Sequence, residues 1–242
     1  MKKLSLLLFT TLLLSSCASK IVDIALKKTG VLDSKVTLKT LTYKDKVIVF
    51  AEMMHLGKVE FYKDVKSKID SLENEGYFVF YEGLYLKKSD RVIKENDTIN
   101  YLKFRKILNL DPLLEYSKVK PLSEYVSKYD LIDQPDYTDL GLTPENSQPV
   151  DLPITVLINE FEKEKGPVIL NDCDYKTPLG SENYTCETVN SEDKKFFLKE
   201  IVENKRNINL VDKIKTTTKK KILILYGKKH YTPVEKLLKE HS

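Results

Sequence analysis

The sequence predicts a single α/β domain with a central mixed β-sheet flanked by helices. Three observations carry this. The short apolar blocks 47–51, 77–81, 167–170 and 221–226 have the length and the Val, Ile, Phe and Tyr content of buried strands. Amphipathic stretches lie between most of them, with apolar residues three and four positions apart. The order is thus mostly strand, helix, strand, helix, the pattern of a sheet covered by helices.

The chain opens with a segment that reads as processed rather than folded. Lys2 and Lys3 form a basic start, and "LSLLLFTTLLL" is an apolar stretch short for a bilayer span. "LSSC", ending at Cys17, resembles the lipobox of bacterial lipoproteins. This implies a signal peptide over 1–16, lipidation of Cys17, and a lipidated tether over 17–34 with a short start to the fold. Residues 35–242 then form the domain. Acyl chains contribute about 0.8 kcal/mol per buried methylene, so more than one anchors the chain stably. The expected place is extracytoplasmic, on a membrane. Ala18 and Ser19 follow the cysteine without the aspartate linked to inner-membrane retention, which favours a periplasmic face or outer membrane.

The formal net charge is +4, and Lys2 and Lys3 leave with the signal peptide. The near-neutral surface that remains gives no case for nucleic acid. The basic run "KTTTKKK" (215–221) reads as a solvated loop. Cys173 and Cys186 stand thirteen positions apart, and in an oxidising compartment they are either a disulfide or two buried thiols.

Residues 36–43 alternate at period two and read as a half-buried strand, joined by "KDK" to 47–51 in a hairpin. A helix follows over 58–75, with Tyr62, Val65, Ile69 and Leu72 on one face and Gly76 as its stop. The strand 77–81 runs into Glu82 and Gly83. A helical pattern covers 97–110, and the Pro-, Asp- and Tyr-rich stretch 111–150 reads as loops and short helices. A helix over 152–165 has Asp151 as its expected N-cap and Gly166 as its end. "PVIL" (167–170) is the third buried strand and leads to Asn171 and Asp172. Residues 191–214 read as one or two helices. The strand 221–226 leads through Gly227 to His230, and Thr232, Pro233 and Glu235 look like the cap, first turn and capping box of a final helix.

In α/β sheets, ligands bind beyond the carboxyl ends of the strands. The ends of these four apolar blocks carry Glu52 with His55, Glu82, Asp172, and His230. Only three histidines occur in the chain, and two of them, His55 and His230, fall between a strand and a helix; His241 is in the tail. Singly, each residue has an ordinary explanation as a cap, turn or surface residue. Together they suit a divalent metal, Zn²⁺ or Mn²⁺, with a position left for water. There is no G-x-S-x-G elbow, P-loop or dinucleotide glycine fingerprint.

"VIVFAEMMHLGKVEFY", "GYFVFYEG" and "ILILYGKKHYTPVEKLL" resemble the TraB/PrgY/GumN family, in a superfamily with TIKI proteases, ChaN-like haem-binding lipoproteins and erythromycin esterases. The resemblance runs from about residue 36 onward. It implies a ChaN/erythromycin esterase-like domain with a histidine after the first strand, a glutamate after the second and G-x-x-H after the last. His55, Glu82 and Gly227 with His230 stand at those places, and Arg206 stands where an arginine precedes the final strand. Where the family's first G-x-x-H has glycine, this chain has Glu52. "AEMMH" is closer to the Glu-x-x-His of the esterases, with Ala51 in place of their glycine, and makes Glu52 a candidate general base.

The function implied is a metal-dependent hydrolase, a peptidase or esterase, acting on a peptide or small-molecule substrate. His55, Glu82 and His230 would hold the metal and Glu52 would activate water, with Arg206, Asp172 and Gly227 in support. The esterase relatives imply water activation by His and Glu without metal. Two other readings stand beside it: a haem- or ligand-binding lipoprotein without turnover, and a superfamily fold whose site has lapsed.

Overall fold

The computed structural model describes residues 23–24, 26–83, 95–120 and 122–240. The expected signal peptide, Cys17 and His241 lie outside the described residues. Five strands form a mixed sheet: β1 (Leu38–Tyr43), β2 (Lys46–Met53), β4 (Phe78–Tyr81), β6 (Ser147–Pro149) and β7 (Lys221–Gly227). A separate two-stranded ladder joins β3 (Leu56–Lys58) to β5 (Leu131–Asp133). The order across the main sheet is β1-β2-β7-β4-β6. Among the described residues of this main sheet, only the β1–β2 pair is antiparallel; β2, β7, β4 and β6 run parallel.

The helices are α1 (Val59–Asn74), α2 (Glu95–Leu108), α3 (Ser123–Tyr129), α4 (Ile154–Lys165), α5 (Asp172–Lys176), α6 (Ser191–Phe196), α7 (Arg206–Thr216) and α8 (Tyr231–Lys239). A wide-turn π segment, Phe197–Lys205, links α6 to α7. Alternation along the strands gives the sheet two apolar faces. Ile48, Phe50, Phe80, Ile222 and Ile224 pack with Leu210, Val211 and Ile214 of α7 and with Val234 and Leu238 of α8. Val49, Ala51, Val79 and Leu223 pack on the other face with Val65 and Ile69 of α1. Gly76 stops α1 at φ 88°, a left-handed conformation that a Cβ would strain. A third, all-helical core gathers Phe104, Leu157, Phe161 and Phe197.

Four local expectations change. "PVIL" is not a strand: Val168 is buried in the helical core and its N–H donates to Glu162 Oε1 at 2.8 Å, while Ile169 is 70% exposed. With no neighbouring ladder, the apolar block has nothing to pair with. The fourth parallel strand is instead β6. The α4 helix starts after Pro153 without a side-chain cap, so Asp151 is free for another role. The last helix starts at Tyr231, directly from a 3-10 turn, so Thr232 is not its cap and Glu235 pairs with Lys239. Contacts with the domain also begin within the stretch read as tether. Asp23 accepts from Lys128 Nζ at 2.9 Å and Tyr129 at 2.6 Å, and Leu26 is buried.

Cys173 and Cys186 form a disulfide, which settles the alternative left open by spacing. The loop it closes wraps a fully buried Arg105, which donates to the carbonyls of Asp174, Thr177 and Pro178 at 2.8, 2.9 and 2.9 Å. For a loop this short, chain entropy gives a cross-link about 3 kcal/mol. Cys173→Ala/Cys186→Ala is therefore expected to lose about that much in urea unfolding, and an unchanged midpoint would show that the Arg105 cluster holds the loop alone.

Candidate functional site

Parallel register brings three strand ends side by side. Met53 pairs with Gly227 across β2 and β7, and Tyr81 pairs with Leu225 across β4 and β7. The N–H of Glu82 continues the ladder to the carbonyl of Leu225 at 3.1 Å. Alternation then turns Glu82 to the face of Phe80, where α7 packs. There Arg206, the first residue of α7, reaches its Oε1, and the N–H of Gly227 donates to Oε2 at 3.2 Å. The Glu82 side chain is 6% exposed.

His55 follows β2 and places Nε2 4.0 Å from Glu82 Oε1, with its ring stacked on Tyr116 at 4.8 Å. It is the open member of the set, with a side chain 36% exposed. His230 follows β7 on the other side of Gly227 and is buried. A Cβ on Gly227 would lie 3.7 Å from Glu82 Oε2 and 3.8 Å from His230 Cδ2, so both groups border the space that this glycine leaves open. His230 Nδ1 stands 2.6 Å from Asn207 Oδ1, and Tyr226 meets the ring edge-on at 5.3 Å.

Arg206 is held from behind by Asp151, at 2.7 Å from Nε to Oδ1 and 2.7 Å from the terminal nitrogen to Oδ2. Asp151 lies just past β6, so a carboxylate does end the fourth parallel strand, though not the residue expected. The structure thus brings together His55, Glu82, Gly227, His230 and Arg206. It does not bring Asp172 there: that residue sits on α5 with a side chain 90% exposed, paired to Lys176 at 2.9 Å. Glu52 shares the sheet face of Tyr226 but is buried against other partners, Lys39 Nζ at 2.6 Å and Lys228 Nζ at 4.0 Å. Sequence reasoning missed Asp151, Asn207 and Tyr116.

Burial alone would raise the Glu82 carboxyl, but Arg206, then His55 and His230, outweigh it and hold it well below the usual carboxylate range. The same two carboxylates keep Arg206 charged against burial. Asp151 is raised, chiefly by burial. Burial, reinforced by Arg206 and opposed by Glu82, pushes His230 down to about 4. Its imidazole is thus neutral at pH 7. Asn207 contributes an oddity: its Nδ2 is buried with no partner among the described residues, a desolvation cost of about 1–3 kcal/mol.

The low value of His230 has a pH consequence. Unfolded histidine titrates near 6.5, so below that value the unfolded chain binds the proton more readily. The stability from neutral burial is complete above about pH 6.5 and is lost as pH falls to about 4, by about 3 kcal/mol. Urea midpoints from pH 7 to pH 4 should therefore fall more steeply in the native chain than in His230→Gln. Equal slopes would show that His230 is not buried neutral.

Among the described residues, no group of three or more His, Cys, Asp or Glu side chains stands in metal-ligating arrangement. Both oxygens of Glu82 are already engaged, one by a guanidinium that would repel a cation. As built, the donor set is arranged around Arg206 rather than around a metal cation. It fits proton transfer, with two imidazoles beside one fixed carboxylate. No family model, curated protein or solved structure matches the chain.

Proposed function

We propose that this chain is a hydrolase in which the His–Glu–His edge of the sheet activates water for attack on an ester or amide carbonyl. The observation that supports it best is the flanking of buried Glu82 by His55 and His230, with Arg206 fixing the carboxylate. His230, neutral and buried, takes the proton of the attacking water at Nε2. Oxygen adds to the carbonyl carbon, the bond to the departing alcohol or amine breaks as that group takes a proton from His55, the open imidazole at the mouth, and the proton left on His230 passes through water to restore His55. Glu82 stabilises the charge that His230 acquires and keeps His55 turned inward. Glu52 takes no part in this scheme, because its carboxylate serves Lys39.

The reading extends to fold type and place. The parallel core with its antiparallel edge hairpin is compatible with the ChaN/erythromycin esterase-like type, and the disulfide suits an oxidising compartment outside the cytoplasm. Lipidation of Cys17 belongs to the same proposal. No helix among the described residues is long and apolar enough to cross a membrane.

The test is hydrolysis of p-nitrophenyl acetate and of a peptide p-nitroanilide by the chain from residue 18, with elemental analysis of the same sample. Turnover without metal, lost in His55→Ala, supports the proposal. A stoichiometric divalent metal required for turnover would replace it by the metal-dependent mechanism. Absence of turnover, with a Soret shift on haem titration, would replace it by ligand binding.

A further inference from the structure

We infer that Asn207 is the positioning residue of His230, whose imidazole it fixes with the hydrogen on Nδ1 and the lone pair on Nε2. The inference rests on the hydrolytic reading only for the use made of Nε2; the placement of the hydrogen stands on geometry.

An amide oxygen can only accept, so a contact of 2.6 Å from Asn207 Oδ1 to His230 Nδ1 requires Nδ1 to donate. A neutral imidazole carries one ring hydrogen, and with it on Nδ1, Nε2 is left basic. Both residues are buried, at 1% and 7% exposed, so water does not compete for the contact. No hydrogen bond among the described residues holds Nε2. Tyr226, edge-on to the ring at 89°, limits its rotation, and the hydrogen bond decides which nitrogen faces outward.

The amide's Nδ2 is buried without a hydrogen-bond partner among the described residues, a cost that the Oδ1 contact to His230 must offset. Leucine has nearly the shape of asparagine and would fill the position without a buried orphan donor, so packing alone does not call for an amide here. What the amide supplies is an acceptor for one ring nitrogen. Because Arg206 and Asn207 are consecutive in α7, the same turn of helix fixes Glu82 through one side chain and His230 through the next.

The test is the long-range 1H–15N spectrum of the imidazoles in the full, 15N-labelled chain at pH 7. With three histidines in the sequence, His230→Gln assigns the signal by its loss. The expected pattern is a protonated Nδ1 and an unprotonated Nε2 at His230; the reverse would overturn the inference. Asn207→Leu should move the hydrogen to Nε2, whereas Asn207→Asp, which keeps an acceptor, should hold Nδ1–H. A spectrum for Asn207→Leu that matches the native one would also overturn it, and if that variant does not fold, the native and Asn207→Asp spectra decide. With p-nitrophenyl acetate, kcat should fall about 10²-fold or more in Asn207→Leu with KM little changed, and largely recover in Asn207→Asp. Should the chain hydrolyse no ester, the spectra still judge the tautomer, so the two readings fail separately.

Discussion

Arg206→Met is expected to lower the folding free energy by about 3–5 kcal/mol, the range found when one member of a buried ion pair is removed. The guanidinium is 4% exposed and bridges two carboxylates with side chains 6% and 2% exposed. Without it, Glu82 and Asp151 face each other in a poorly solvated space, and one must take up a proton to fold. For a domain of this size the drop corresponds to roughly 10 °C in Tm. Arg206→Lys should lose less, since an ammonium supplies the charge but not the fork that spans both partners. The decisive comparison is Arg206→Met with Glu82→Gln and Asp151→Asn added. If repulsion is the cause, the triple variant should regain much of the loss. No recovery would mean that Arg206 acts through packing on Tyr226, whose ring lies 5.7 Å from its guanidinium carbon.

The second large effect is on turnover. His55→Ala and His230→Gln should each reduce kcat for p-nitrophenyl acetate by about 10²–10⁴-fold, the usual weight of a positioned acid or base. Their stabilities should differ. His55 stands at the mouth, so its loss should leave Tm nearly unchanged. His230 is buried and bonded to Asn207, so alanine there would remove packing as well as chemistry. Glutamine keeps much of the volume and is the cleaner substitution. Turnover unchanged in both variants would remove the site from the mechanism.

The sequence made the large features readable for a physical reason. β2, β4 and β7 are buried on both faces, and strands in that position must be runs of Val, Ile, Leu and Phe. Their register then follows from the sheet, and with it the meeting of His55, Glu82 and Gly227. β6 was hidden because three residues, Ser147, Gln148 and Pro149, make a strand almost wholly through backbone. Without β6, Asp151 looked like the cap of the helix that follows it. The apolar block 167–170 misled in the opposite sense, since burial among helices and burial in a sheet ask for the same side chains. Asn207 was out of reach: a polar residue on a helix shows nothing in one dimension about which face it turns inward.

The place of β7 carries a further consequence, for the order in which the chain acquires its shape. β7 lies between β2 and β4, yet it is translated after every other strand of the sheet. Until it arrives, the β1–β2 hairpin and the β4–β6 pair have no shared edge. An emerging chain therefore holds two small, separate ladders that cannot close on each other, and long-range closure of this kind is slow. If the chain is exported as proposed, such a delay would keep the polypeptide open during translocation. Completion of the sheet and completion of the candidate site then become one event, since the strand that joins the halves also delivers Gly227 and His230.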